Sequence, residues 1–171
     1  MLSPKMEKAL NKQVNAEFYS SYLYLSMAAD FTAKNMDGFA AWMSIQAQEE
    51  WNHGMKMYDY INEQGGKVIL IAIDAPQTEW ESPLAAFETV YAHEQHVTGL
   101  INDLANIAVD ERDHATGIFL QWFITEQIEE EGTAAGIVGK LKMIGDHPQG
   151  IFMMNQELGK RPAAAQAAVA E

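Results

Sequence analysis

Apolar residues recur at three-and-four spacing along four long stretches of the chain, the pattern of helices that each bury one face. The first stripe runs through Met6, Leu10, Gln13/Val14, Glu17, Ser21, Tyr24/Leu25 and Ala28. The second runs through Phe39, Trp42/Met43, Gln46, Glu50, His53, Met57 and Tyr60/Ile61. The third takes in Leu84, Phe87, Tyr91, Glu94, Thr98, Ile101, Leu104/Ala105 and Ala108, and the fourth Phe119/Leu120, Phe123, Gln127, Glu130, Ala134, Ile137/Val138 and Leu141. Boundary signals bracket each stripe. Ser3-Pro4 and Ser82-Pro83 place a capping serine before a proline at the first helical position. Asn35, Gly65-Gly66 and Gly145 mark ends, and Asp110 to Asp113 reads as a short polar turn. Each helix is then about 28 residues, or ~40 Å long.

The predicted fold is all-α: a four-helix bundle over about residues 3–145 and a short fifth helix over about 148–158, opened by Asp146-His147-Pro148. An Ala-rich tail, 161–171, follows and is expected to fray. The whole of 1–171 reads as one domain. Lys67 to Glu81 is too long for a tight hairpin and predicts a crossover along the bundle between the second and third helices. Its apolar run Val68–Ile73 predicts an extended segment. Gly132, Gly136 and Gly139 inside the fourth helix suggest a kink or a close helix contact, because glycine costs up to ~1 kcal/mol relative to alanine there.

The polar residues inside the four stripes obey a rule. Glu17 and Glu50 are 33 positions apart, as are Glu94 and Gln127; Glu50 and His53 are three apart, as are Gln127 and Glu130. An offset of 77 carries Glu17, Glu49, Glu50 and His53 onto Glu94, Glu126, Gln127 and Glu130. Two helical hairpins bearing one polar constellation at one spacing imply a bundle with approximate two-fold symmetry about a central site.

Charge narrows what such a site can hold. The chain has 24 acidic and 11 Lys or Arg residues, a formal net charge of −13. That surface repels nucleic acid and attracts cations. With no cysteine, disulfides, thiolate metal sites and cysteine nucleophiles are excluded. No apolar run approaches the ~20 residues a bilayer requires, so no membrane partner is expected. The N-terminal residues lack the pattern of a signal peptide, and a cytoplasmic location is expected.

Glu17, Glu50, Glu94 and Glu130 stand where core residues belong. Burying an isolated carboxylate costs several kcal/mol, and four together repel. They must take up protons or pair with cations, and no Lys or Arg shares their stripes nearby. Two divalent cations would balance four glutamates, with Gln127 and neutral His53 completing the set. Positions i and i+3 share a helix face, so Glu50 and His53 can address one ion from one helix, with Gln127 and Glu130 opposite. One Glu from each of two helices plus Glu-x-x-His from each of the others is the plan of di-iron carboxylate bundles. Gln127-x-x-Glu130 departs from it. Oxygen donors with one imidazole suit iron or manganese better than a thiolate-selecting metal. Glu126, Glu129 and Glu130, with Glu49, form a second acidic cluster that predicts a third cation site.

Tyr24, two turns beyond Glu17, could hydrogen-bond a ligand carboxylate or serve as core. Trp122 reads as packing. His93-Glu94-Gln95-His96 is not a zinc-protease motif, because that motif needs histidines four apart; if Glu94 faces the core, His93 and His96 point elsewhere.

The stretches Asn15 to Tyr24, Gln48-Glu-Glu-Trp-Asn-His53, His93-Glu94 and Phe119 to Glu131 together resemble the prokaryotic non-haem ferritins, from Leu2 to about Leu158. The resemblance implies iron storage in a hollow homo-oligomer of twenty-four subunits. It implies a ferroxidase centre that oxidises Fe(II) to Fe(III) with dioxygen or peroxide, its first iron at Glu17, Glu50 and His53. The second would lie at Glu50, Glu94 and Glu130 with Gln127 close by, and a third at Glu49, Glu126, Glu129 and Glu130. The family's tyrosine beside the centre falls on Tyr24. Bacterioferritin is a poorer match: the second Glu-x-x-His is missing, and Trp51 and Asn52 follow Glu50 where a haem-ligating Met would stand, so no haem is expected. Rubrerythrin would need a cysteine-bearing domain. The alternative activity for the same site is peroxide scavenging against oxidative stress.

Overall fold

The computed structural model describes residues 2–162. They form five helices: α1 (Pro4–Ala33), α2 (Asp37–Glu63), α3 (Pro83–Asp110), α4 (His114–Ile144) and α5 (Pro148–Leu158). No strand occurs among the described residues. The all-α bundle with its short fifth helix is as the periodicity predicts; most of the Ala-rich tail, from residue 163 on, lies outside the described residues.

The helix starts follow from side-chain chemistry. Ser3 Oγ accepts from the Met6 amide at 3.0 Å, and Ser82 Oγ from the Ala85 amide at 3.1 Å, each ahead of an N-terminal proline. Asp113 caps α4 by accepting from the Thr116 amide at 3.0 Å. The turns between paired helices use left-handed residues, Asn35 (φ 56°) and Arg112 (φ 57°). The start of α2 has no cap from its own residue, Met36. Asn155 of α5 supplies it, its Oδ1 accepting from the amides of Gly38 and Phe39 at 2.9 and 3.1 Å. A side chain at Gly38 would meet the Asn155 carbonyl oxygen at 1.7 Å, so only glycine admits α5 this closely.

α1 pairs with α2 and α3 with α4, the crossover 64–82 joining the hairpins. It runs along α1, whose outward polar residues replace the backbone partners a strand would have had. Asn11 donates to the Lys67 carbonyl at 3.0 Å and accepts from the Ile69 amide at 2.6 Å. Asn15 donates to Ala72 O, Ser26 to Gln77 O, and Asp30 accepts from the Trp80 amide. The chain thus returns to the end of α1 before α3 begins, and α2 and α3 run parallel. The run Val68–Ile73 joins no sheet, and Ile69, Leu70, Ile71 and Ile73 are exposed.

Two stripes drift from the expected faces. In α1, Ser20 and Leu23 are buried while Leu25 is exposed; in α3, Val90 and Val97 face inward and Tyr91 and Thr98 lie at the edge. A straight helix slips ~20° per seven residues against a fixed repeat, and each long helix here touches more than one neighbour. The glycine reading is also corrected. α4 runs unbroken through Gly132, Gly136 and Gly139, and a Cβ at any of them would meet nothing within 4 Å. They are exposed, and among the described residues no close helix contact explains them.

The buried apolar residues fall into two clusters. One gathers Met6, Leu10, Val14, Met57, Val97, Ile101, Leu120 and Phe123; the other Leu23, Met27, Phe31, Met43, Phe87, Val90, Ala134 and Leu141. Every long helix passes from one cluster to the other, and on every one a glutamate of the predicted constellation lies at the crossing.

Candidate metal centre

The layer between the clusters is made by Glu17 on α1, Glu50 and His53 on α2, Glu94 on α3, and Gln127 and Glu130 on α4. Glu17, Glu50, Glu94, His53 and Gln127 are buried. Glu130 is half-buried as a residue, but its Oε2 is enclosed. Glu17, Glu50 and His53 bring one ligand atom each to within 4.8 Å of one another, and so do Glu50, Glu94 and Glu130. Glu50 belongs to both groups.

Amides and one phenol surround these carboxylates. Gln13 donates to Glu17 Oε1 at 2.9 Å, and Gln46 to Glu50 Oε1 at 3.1 Å and Glu130 Oε1 at 3.0 Å. Tyr24, wholly buried, donates its hydroxyl to Glu94 Oε1. The Gln127 amide donates to Glu94 Oε2 at 3.3 Å, to the Glu94 carbonyl at 3.2 Å and to Thr98 Oγ1 at 3.3 Å. His53 Nδ1 stands 3.4 Å from Glu50 Oε2. Glu17 Oε2 and Glu130 Oε2 are buried with no hydrogen-bond partner.

The electrostatics follow. Burial, with Glu94 and Glu17 beside it, lifts Glu50 well above the usual carboxylate range. Burial, with Glu50 and Glu94, does the same to Glu130. Burial raises Glu94 to about 7, against the hydrogen bonds from Tyr24 and Gln127, and raises Glu17 as well. Tyr24 is held well above 10 by burial and by Glu94. A cation placed among these groups would relieve their repulsion and give the two orphaned oxygens a partner. The donor set, carboxylates with one imidazole, fits hard or borderline divalent ions.

The second acidic cluster differs from its expected form. His53, Glu126 and Glu130 bring ligand atoms within 4.8 Å of one another. Glu49, Glu126, Glu129 and Glu130 line a cavity of about 60 Å³ beside the layer. A basic residue from outside the four stripes also lines it. Arg161 Nη2 lies 2.5 Å from Glu49 Oε2, and its guanidinium stacks 4.7 Å from the Trp42 ring centre. Burial raises the Glu49 carboxyl, and Arg161 opposes that shift.

His93 and His96 do not enter the layer. His93 Nε2 is 2.8 Å from Ser20 Oγ, and burial, with His96 beside it, depresses its pKa to about 4; His96 is exposed. Trp122 packs edge-on to His53 at 5.2 Å, under the Lys56 ammonium. Sequence reading missed the roles of Gln13 and Gln46, although both interrupt apolar stripes, and that was the available signal. It missed Arg161 because nothing local marks a tail residue as reaching the core.

The chain matches the family model described as a ferritin-like domain over residues 7–144. The bacterial non-haem ferritin of Bacteroides fragilis is 47% identical over 161 residues, covering 94% of this chain and 100% of that protein. A probable bacterial non-haem ferritin-like protein of Haemophilus influenzae is 40% identical, covering 93% and 96%. Among solved structures, an open-pore ferritin from the hyperthermophilic archaeon Archaeoglobus fulgidus matches with a TM-score of 0.94 at 50% identity, over 95% of this chain and 100% of that one. A humanized archaeal ferritin matches with a TM-score of 0.95 at 49% identity, over 96% and 100%. Among the described residues, no helix is long and apolar enough to cross a membrane.

Proposed function

This chain belongs to the ferritin family, and on that premise we propose that it is an iron-storage protein with a ferroxidase centre. The observation that carries the reading is the buried layer of Glu17, Glu50, Glu94 and Glu130. Among the described residues no Lys or Arg pairs with any of them, and two of their oxygens have no partner. Structural carboxylates so enclosed would have every oxygen matched with a fixed cation or donor; Glu17 Oε2 and Glu130 Oε2 are not, which leaves room for cargo.

Two Fe(II) are the substrates. One is held by Glu17, Glu50 and His53, the other by Glu50, Glu94 and Glu130, with Gln127 alongside. Glu50, common to both groups, suits bridging. Each Fe(II) gives up one electron; dioxygen takes the pair and, with two protons, leaves as hydrogen peroxide, or peroxide takes it and leaves as water or hydroxide. The four carboxylates favour the ferric product because anionic oxygens stabilise the higher charge. Tyr24 holds Glu94 through its hydroxyl. Glu49, Glu126, Glu129 and Glu130 are the candidate third site. The product then mineralises within a hollow homo-oligomer, for which we adopt twenty-four subunits, in the cytoplasm. The likeness over nearly the full length to an open-pore ferritin supports a hollow homo-oligomer; the count of twenty-four is taken from the family resemblance.

The test is aerobic Fe(II) loading followed by size-exclusion chromatography read for protein and ferric iron, with Glu50→Ala as control. The expected result is ferric iron eluting with a large assembly, far above site stoichiometry, and oxidation ~100-fold slower in the variant, since even groups that only support ligands are worth 10–100-fold. Iron held only at site stoichiometry, or a small oligomer, overturns storage and leaves a peroxide-consuming di-iron protein.

A further inference from the structure

Arg161 is the residue the proposed chemistry does not use. It lies just past the end of α5 at Leu158, outside any helix, its amide bonded only to the Leu158 carbonyl at 3.2 Å. Its side chain nevertheless turns into the bundle and is fixed on three sides. Nη2 donates to Glu49 Oε2 at 2.5 Å, Nη1 donates to Gln46 Oε1 at 2.9 Å, and the planar group stacks on Trp42. A planar fork with five donors and a stacking face suits this three-way seat, which an ammonium could not fill.

Resting on the third-site reading above, we propose that Arg161 is a built-in counterion of the outer acidic cluster, and that a third metal ion gains Glu49 only by displacing it. Two observations carry this. First, Arg161 shares the small cavity with Glu126, Glu129 and Glu130, yet its one ion pair is with Glu49. A divalent ion bound by all four carboxylates would compete with the guanidinium for that one oxygen acid. Second, the same side chain is wired to the inner layer. By donating to Gln46 Oε1, Arg161 fixes that amide so that Nε2 faces Glu50 Oε1 and Glu130 Oε1. Displacing Arg161 frees Gln46 to turn. Occupancy of the outer site and the setting of the inner carboxylates are therefore linked through one amide. The displacement needs only the Arg161 side chain to turn away, because its backbone contact, the amide to the Leu158 carbonyl, is separate from the guanidinium's three contacts.

The experiment is calorimetric titration of the assembled full-length protein with Zn(II), which binds such ligands without redox chemistry. Wild type, Arg161→Ala, Glu126→Gln and Trp42→Phe are compared. Charge-assisted hydrogen bonds at a largely buried site still open to solvent set the scale, so the third ion binds about tenfold tighter in Arg161→Ala. The two inner ions shift much less. Tryptophan emission reads the displacement separately: a change in step with the third ion in wild type, lost in Trp42→Phe. A third ion that is abolished by Glu126→Gln but binds Arg161→Ala with wild-type affinity overturns the proposal and leaves the third site standing. If neither wild type nor Arg161→Ala takes a third ion, both the proposal and the third site fall, and the two-ion centre is untouched.

Discussion

The hairpin of α1 and α2 and the hairpin of α3 and α4 carry the same glutamate frame, yet they support it differently. In the first, polar residues surround the carboxylates: Gln13 serves Glu17, Gln46 serves Glu50, and Tyr24 reaches across to Glu94. The positions 77 residues on are Val90, Phe123 and Ile101, all buried in apolar clusters. The second hairpin therefore lends carboxylates to the centre but few donors to hold them. It also replaces the imidazole of His53 with Glu130 and the carboxylate of Glu50 with Gln127. A duplicated frame needs only one set of supports when the ligands meet in one place; the other set is free to become core.

What the halves share is buried negative charge, and pH tests it with the largest expected effect. A carboxyl whose folded pKa is raised binds more protons folded than unfolded, so stability falls as pH rises from the unfolded value through the folded one. For Glu94 that window runs from 4.5 to about 7, and the loss is on the order of 3 kcal/mol at 1.36 kcal/mol per unit. Glu17, Glu50 and Glu130 act in the same direction. His93 opposes them, its contribution being lost as pH falls from 6.5 towards about 4. Below pH 6.5 His93 offsets much of the Glu94 loss; above it only the last of the Glu94 window remains, with Glu50 and Glu130 raised further, so chelated protein should lose stability from pH 6.5 to 8 in denaturant unfolding. Saturating Zn(II) should reverse that slope, because metal binding needs the deprotonated groups. A flat profile with chelator would mean that the layer carries no buried charge to relieve.

What the halves do not share is sharpened by restoring it. The double variant Gln127→Glu/Glu130→His gives both hairpins the Glu-x-x-His arrangement and keeps four carboxylates in the layer. The two inner ions should stay. The third ion, deprived of Glu130, should weaken ~10–100-fold in the same titration, the range for losing a supporting group. If all three ions bind as before, the departure from symmetry on α4 has nothing to do with the outer cluster.

The smallest effect tests the supports. Gln13→Val copies its partner Val90 and strips Glu17 of its hydrogen bond. The cost should be about 1.5 kcal/mol at pH 8, the lower end for a bond to a charged group, and less at pH 5, where the raised Glu17 is more often neutral. A pH-independent cost in urea unfolding would assign Gln13 to packing alone.

Much of this was legible in the sequence because periodicity reports burial. The four glutamates interrupt apolar stripes, and the 33- and 77-residue spacings align them without coordinates. The helix starts were legible because Ser-Pro is a local signal with a local cause. Three things were not. The buried face of α1 turns from Ser21 to Ser20, since a stripe specifies a face only to within its drift. The apolar run Val68–Ile73 reads as an extended strand-like segment, but its backbone partners are side chains of α1, which no pattern within the run reveals. Arg161 reaches Glu49 across 112 positions, and long-range pairing of a tail residue leaves no local trace. Gln13 and Gln46 were visible as intruders, but whether an intruding amide serves a site or a neighbour depends on geometry.

The glutamate layer also cuts the hydrophobic interior in two, with one cluster at each end of the bundle. Cooperativity in a helical bundle depends on continuity of packing, and here the continuity is interrupted by groups that repel one another. The two ends are thus weakly coupled springs joined at a soft middle. Two ions, one among Glu17, Glu50 and His53 and one among Glu50, Glu94 and Glu130, would together tie all four long helices at that one height, so the cargo doubles as a rivet. Loading would stiffen the subunit from its centre outward, and amide exchange in the middle turns of α1 to α4 would slow before exchange at either end.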